Sequence, residues 1–291
     1  MVNTKKVWLV TGSGNGLGRN IIEAVLKTGD IVVATARKTE QLKDLVNRYK
    51  EQILVAELDV TNEEQAKQVV EKSVQKFGRI DVLINNAGYG DNRPFEQVPS
   101  EDFRKLVETC FFGVVTLTRE VLPIMRKQRN GHILQISSLG GRFAGPGNAA
   151  YFASKWAVGG FTEGLSYEIS PFNVKVTALE PGAMRTNWGK SAYGKELKLI
   201  SDYEVSVGAA AKSLENLWGN ENGDPLKVAQ IVIEIVNFEE QLPAHILLGS
   251  DAYEMAKQAS KKRWEEAEKW KKVSEYTDVE NQKPIPELSK L

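Results

Sequence analysis

Short runs of apolar, mostly β-branched residues recur along this chain, separated by longer stretches of mixed polarity. The runs fall at residues 7–10, 31–35, 53–58, 82–84, 133–136, 174–179 and 246–248. Runs that are apolar at nearly every position, rather than at every second one, predict strands buried on both faces, as in a parallel sheet. Between them, apolar positions spaced by three and four predict helices over residues 17–27, 40–49, 63–77, 101–127, 150–169 and 225–238. The alternation predicts a doubly wound α/β domain: a seven-stranded parallel sheet with helices on both faces.

The alternation fails from about residue 182 to 224, a stretch carrying Trp188, Tyr193, Tyr203 and Trp218. An insertion of this length predicts a functional lid or a small helical pair. The lid aromatics, Met184 and Phe143 either line a substrate cleft or form a small core of their own, and both readings stay open. Residues 251–274 read as a charged helix in which Ala256, Ala259, Trp264, Ala267 and Trp270 form a stripe, predicted to pack against the body or a neighbouring subunit. The remainder, 276–291, contains Pro284 and Pro286 and reads as a loose tail. The predicted organisation is a catalytic domain over 1–249, with its lid at about 182–224, and a C-terminal helical arm and tail over 250–291.

Composition narrows the function classes. Lys plus Arg and Asp plus Glu both number 38 in 291 residues, and no single-sign block stands out, which argues against a nucleic-acid partner. The single cysteine, Cys110, rules out an internal disulfide. His132 and His245 lie too far apart for metal-ligand spacing and read as strand-boundary residues, so no metal site is expected. The first apolar run is too short for a signal-peptide core, and no run reaches the ~18 residues of a membrane span. The expectation is a soluble protein of a reducing, cytoplasmic compartment with no membrane partner.

After the first predicted strand comes Thr11-Gly12-Ser13-Gly14-Asn15-Gly16-Leu17-Gly18, and then a helix. Glycines allow a tight turn and close approach to a pyrophosphate, and the helix N-terminus supplies free N–H groups and partial positive charge. The spacing is Thr-Gly-x-x-x-Gly-x-Gly, not G-x-G-x-x-G. A dinucleotide site of this Rossmann type commonly places an acid at the end of the second strand to accept the ribose hydroxyls. Here that strand runs into Ala36-Arg37-Lys38, with no acid before Glu40. Arg37 can pair in fork geometry with a 2′-phosphate that a carboxylate would repel, so NADP(H) is favoured over NAD(H).

Tyr151 and Lys155 are four apart on a predicted helix, thirteen residues after Ser138 at the end of a predicted strand. Spacing of four points both side chains at one spot. A phenol loses its proton near pH ~10, but an ammonium about 5 Å away favours the phenolate by roughly 3 kcal/mol at an effective dielectric of ~20, about two pKa units. Ser137 precedes Ser138 directly, so the two point to opposite faces.

These ordered motifs, spanning about residues 6–248, resemble the short-chain dehydrogenase/reductase family, specifically its single-domain branch. The resemblance assigns Ser138, Tyr151 and Lys155 as catalytic. As cofactor-binding it implies Gly12, Ser13, Asn15, Gly16, Leu17, Arg37, Asp59, Val60, Asn86, Ala87, Gly88, Tyr151, Lys155, Pro181, Gly182, Met184 and Thr186. It implies a homodimer or homotetramer and a small-molecule substrate, here a moderately bulky, rather apolar ketone or aldehyde or the corresponding alcohol. Tyr151 would exchange the proton as hydride moves to or from the nicotinamide. One position departs from the pattern: Cys110 stands where the family usually has an asparagine that helps hold a water linking the lysine to solvent. Cys110 is then either a small buried residue or the sign of a noncatalytic NADP(H)-binding or regulatory protein. A nucleotide-sugar epimerase or dehydratase would use the same Tyr and Lys pair, but the larger C-terminal substrate domain it needs is not seen.

Overall fold

The computed structural model describes residues 5–193, 198–279 and 287. Residues 194–197 of the insertion and the tail beyond 279, Glu287 excepted, lie outside the described residues, as do the side chains of Lys190 and Tyr193. The seven apolar runs are strands: β1 Val7–Val10, β2 Ile31–Ala36, β3 Ile53–Glu57, β4 Val82–Asn85, β5 Gly131–Ile136, β6 Val174–Pro181 and β7 His245–Leu248. They form one sheet in the order β3-β2-β1-β4-β5-β6-β7, with every neighbouring pair parallel.

Two apolar layers enclose the sheet. On one face Trp8 and Val10 of β1 pack with α1 (Gly16–Thr28), α2 (Lys43–Tyr49) and α9 (Pro225–Asn237), through Ile21, Ile22, Val25, Leu45, Val232 and Val236. On the other, Val7 and Leu9 pack with α3 (Glu63–Phe77), α5 (Gly113–Gln128) and α6 (Ala149–Ile169), through Val69, Leu117, Val121, Met125, Leu165 and Ile169. Alternate strand residues feed opposite layers, so each strand must be apolar on both sides, which is why the runs read as continuous. The strand order reverses between β1 and β4, and the carboxyl ends of the strands there open the crevice in which such sheets bind ligands.

Three predicted helices differ from expectation. Residues 40–49 begin as a 3-10 turn, Thr39–Leu42, before α2. Residues 101–127 divide into α4 (Ser100–Val107), a π-helical turn over Glu108–Phe112, and α5. The arm forms α10 (Ser250–Lys269) and, after a break at Trp270, α11 (Lys271–Tyr276). Of its stripe Ala256 is buried, beside Ala252 one turn earlier, whereas Trp264 is 70% and Trp270 50% exposed. The first half of α10 has the loop after Ser138 and β7 to cover, whereas residues 261–270 are exposed, although the Arg263 side chain reaches back to Arg142 and Trp156. The insertion is helical, with α7 (Trp188–Tyr193), a 3-10 turn Ser201–Tyr203, a π turn Glu204–Gly208 and α8 (Ala209–Glu215).

Candidate active site

The loop after β1 is stapled to the end of β4. Buried Thr11 accepts through Oγ1 from the N–H groups of Asn86 (2.9 Å) and Ala87 (3.1 Å), and the Asn86 amide donates back to the carbonyls of Thr11 and Gly12. Gly12 and Gly16 hold φ of +66° and +56°, where a side chain would be strained. A Cβ on Gly18 would fall 2.5 Å from the Gly12 carbonyl oxygen, so α1 can start this close to the loop only with glycine there. The Thr186 side chain comes within 4.0 Å of a Cβ added to Gly16, so the segment after β6 faces this turn at close range. The glycine loop and the first turn of α1 make a helix start suited to a pyrophosphate. Asn15 is exposed at this turn, and Leu17 is buried behind it. Ser13, expected to bind cofactor, instead turns inward. Its hydroxyl donates to Val10 O at 2.8 Å and its N–H to Thr35 O, so both polar groups serve the loop.

Arg37 leaves β2 beside Glu57 and Asp59, lining a cavity of about 640 Å³. Its guanidinium makes no ion pair or hydrogen bond among the described residues. Burial pushes the Asp59 carboxyl up, but the Thr61 N–H and hydroxyl, at 3.0 and 2.8 Å, and the charge of Arg37 outweigh it and leave it below the usual carboxylate range. Val60 is buried against Gly113, where an added Cβ would fall 2.6 Å from Val60 Cγ2, so its side chain faces α5 rather than the cavity.

Ser138, Tyr151 and Lys155 converge as their spacing predicts. The Ser138 hydroxyl hydrogen-bonds to the Tyr151 side chain, and its Oγ also accepts from Gly140 N–H. Ser137 points the other way, donating to the Lys155 carbonyl. The Lys155 ammonium lies 5.5 Å from the Tyr151 ring centroid, over its face, and donates to Ile136 O at 2.7 Å. Tyr151 and Lys155 are only 9% and 4% exposed. This burial overturns the expected acidification: dehydration raises the Tyr151 pKa above its ordinary value against the Ser138 hydrogen bond, and lowers that of Lys155. The sequence argument placed the ammonium at the right distance but gave it a half-wet dielectric.

Cys110 closes the site from behind, at the π turn. Its thiol donates to Tyr89 O (3.3 Å) and accepts from Tyr89 N–H (3.4 Å), and burial raises its pKa. Gly88 separates it from the lysine, with an added Cβ 3.4 Å from Cys110 Sγ and 3.8 Å from Lys155 Nζ. His245 lies against Gly159 of α6, its Nδ1 2.8 Å from buried Glu180 Oε1, so it supports the back of α6 and stands apart from Ser138, Tyr151 and Lys155.

The lid aromatics divide between the two open readings. Trp188 covers Tyr151, with ring centroids 5.1 Å apart, and fits against Gly90, where any Cβ would meet the indole at 2.8 Å. Trp218 backs the lid helix at Gly189, and the Tyr203 hydroxyl bonds Glu96. Phe143 packs on Phe152 and on the arm. Arg185 is committed to Glu221 O at 2.8 Å. The segment Pro181-Gly182 is tied down by a residue that the sequence reading passed over: Asp251 at the start of α10, whose Oδ2 accepts from Ala183 N–H at 2.8 Å. Gly249-Ser250-Asp251 reads locally as a helix start, and nothing local announces that it reaches back across β7.

Known proteins share this arrangement. The short chain dehydrogenase family matches residues 6–196. Oxidoreductase BOA17 of Botryotinia fuckeliana (strain B05.10) is 46% identical over 271 residues, 92% of this chain and 98% of that protein. The crystal structure of a short-chain dehydrogenase from Streptomyces avermitilis superposes with a TM-score of 0.87 at 38% identity, covering 95% of this chain and all of that one (100%). A short chain dehydrogenase from Burkholderia cenocepacia J2315, solved in complex with NADP, superposes with a TM-score of 0.71 at 26% identity over 91% of this chain and 96% of its own. Together with the parallel sheet, the glycine loop and the converging Ser138, Tyr151 and Lys155 set, these matches place the chain among the short-chain dehydrogenases, a family of oxidoreductases.

Proposed function

We propose that this protein is an NADP(H)-dependent oxidoreductase that interconverts a moderately bulky, apolar ketone or aldehyde and its alcohol, with Tyr151 as general acid and base. The observation that carries the reading is the hydrogen-bonded Ser138 and Tyr151 pair, with the Lys155 ammonium at the ring face. A bound nicotinamide would supply or accept the hydride. In reduction, Ser138 Oγ donates a hydrogen bond to the substrate oxygen as negative charge grows there, and Tyr151 Oη delivers the proton. Burial keeps that phenol protonated until the substrate oxygen becomes the stronger base. Lys155, held by Ile136 O, keeps positive charge beside the ring and stabilises the phenolate left behind. Oxidation runs the same proton transfer backwards. Trp188 and Tyr89 make the space next to Tyr151 apolar, which fits an apolar substrate.

Cys110 supports the catalytic reading over the noncatalytic one, because its thiol is occupied with Tyr89 and leaves the Ser138, Tyr151 and Lys155 contacts in place. The uncommitted guanidinium of Arg37 at the mouth of the cavity favours the 2′-phosphate of NADP(H).

Two experiments test the proposal. Purified protein with NADPH and a panel of ketones and aldehydes should show turnover that Tyr151→Phe abolishes while NADPH binding survives; absence of any Tyr151-dependent turnover would overturn it. For the cofactor, Arg37→Asp should weaken NADPH binding at least about tenfold more than NADH binding. Equal losses would remove the phosphate contact.

A further inference from the structure

The geometry points to Asp251, on the C-terminal arm, as a positioning residue for the nicotinamide end of the cofactor cleft. This rests on the reading of that cleft as a nicotinamide dinucleotide site.

The segment after β6 faces the first turn of α1, and several of its backbone groups have fixed partners. Gly182 N–H donates to Leu248 O at 3.0 Å, Ala183 O accepts from Gly223 N–H at 2.9 Å, and Arg185 N–H donates to Gly223 O at 3.0 Å. Ala183 N–H is held by a side chain alone, the Asp251 carboxylate, 68 residues further along the chain. The carboxylate is wedged between two glycines. A Cβ on Gly182 would collide with it, and one on Gly249, which has φ +114°, would fall 2.6 Å from Oδ1. Oδ1 itself is buried and has no hydrogen-bond partner among the described residues. A carboxylate with one oxygen left dry is costly unless something requires it there. Its place in the first turn of α10 offsets part of that cost, because negative charge is favourable at a helix N-terminus.

The rest of α10 reaches the Ser138 loop. Ala252 and Ala256 pack on Leu139 and Phe143, and Arg263 Nη1 donates to Arg142 O at 3.0 Å while its guanidinium lies 5.0 Å over the Trp156 ring. One helix therefore braces both the Ser138 loop and the turn carrying Met184 and Thr186. Asp251 touches only the second, so its loss should act on nicotinamide placement and spare the adenosine half of the cleft.

The test compares full-length wild type, Asp251→Ala and Asp251→Asn in binding NADP⁺ and 2′-phospho-ADP-ribose, which lacks only the nicotinamide; NAD⁺ and ADP-ribose replace them if wild type prefers NAD⁺. Asp251→Ala should bind the dinucleotide roughly tenfold more weakly, the scale of one lost hydrogen bond to a charged group, and bind the fragment as wild type does. Asp251→Asn, which keeps an acceptor oxygen in the same place, should recover most of the affinity, and amide exchange at Ala183 should quicken only in Asp251→Ala. Unchanged dinucleotide affinity in Asp251→Ala overturns the inference, as do equal losses for both ligands or an Asn variant as weak as the Ala variant. Wild type binding neither pair overturns the cofactor reading of the cleft and this inference with it.

Discussion

The Cys110 sulfur serves both backbone polar groups of one residue, donating to the Tyr89 carbonyl and accepting from the Tyr89 N–H. Those two groups sit just after Gly88, on the segment that passes the lysine, so the thiol holds in place the backbone behind Lys155. Cys110→Ala would leave a buried donor and acceptor without partners, at a cost of about 2 kcal/mol. We expect a lower unfolding temperature and a reduced turnover rate, whereas Cys110→Ser, which can make both bonds, should stay close to wild type; thermal melts with steady-state rates check this. The cysteine has 0% exposure and a pKa raised by burial, which disfavours the reactive thiolate. Native protein should therefore resist a thiol reagent that labels it fully in denaturant. The juxtaposition of Tyr151 and Lys155 was legible at this scale from spacing alone, since four residues on a helix fix it. Their protonation was not legible, because the burial that shifts it comes from tertiary packing, which sequence spacing does not record.

Among the elements, the strands could be read from their continuous apolar runs, and the helices over 63–77 and 150–169 from buried positions that recur every three or four residues. The π turn at Glu108–Phe112 could not, because a wider turn is stabilised by what its extra residue meets, here Tyr89, and leaves no local signature. The lid lies between these cases: its aromatics marked it, but only tertiary packing separates Trp188, over Tyr151, from Trp218 and Tyr203, which secure the lid itself. This assigns Trp188 the roof of the substrate space. Trp188→Ala should raise KM for a small methyl ketone while improving kcat/KM for a bulkier homologue, shifting the ratio of the two by about tenfold or more. The check is kcat/KM across a homologous ketone series; a uniform loss at every length would make Trp188 a structural residue only.

Across the whole molecule, the sheet and its two layers follow from the apolar runs, but the course of the arm does not. A stripe of apolar residues says that a helix has a face, and the neighbours of that face decide whether it is covered; Ala252 and Ala256 found them, and Trp264 did not. Global stability depends on a residue that takes no part in the chemistry. His132, on β5 between β4 and β6, is buried with Nδ1 unpartnered among the described residues. Burial, then the positive charges of Lys175 and Lys6, lower its pKa to about 4, against 6.5 for an exposed histidine. Between those two values the unfolded chain binds a proton that the folded one refuses, so stability is full above pH about 6.5 and is lost as pH falls toward 4. From pH 7 to pH 5 the loss should be about 2 kcal/mol. His132→Gln has no proton to gain and should remove that part of the slope, so urea unfolding of both proteins at the two pH values measures it. A wild-type slope that survives the substitution unchanged would place the acid sensitivity elsewhere.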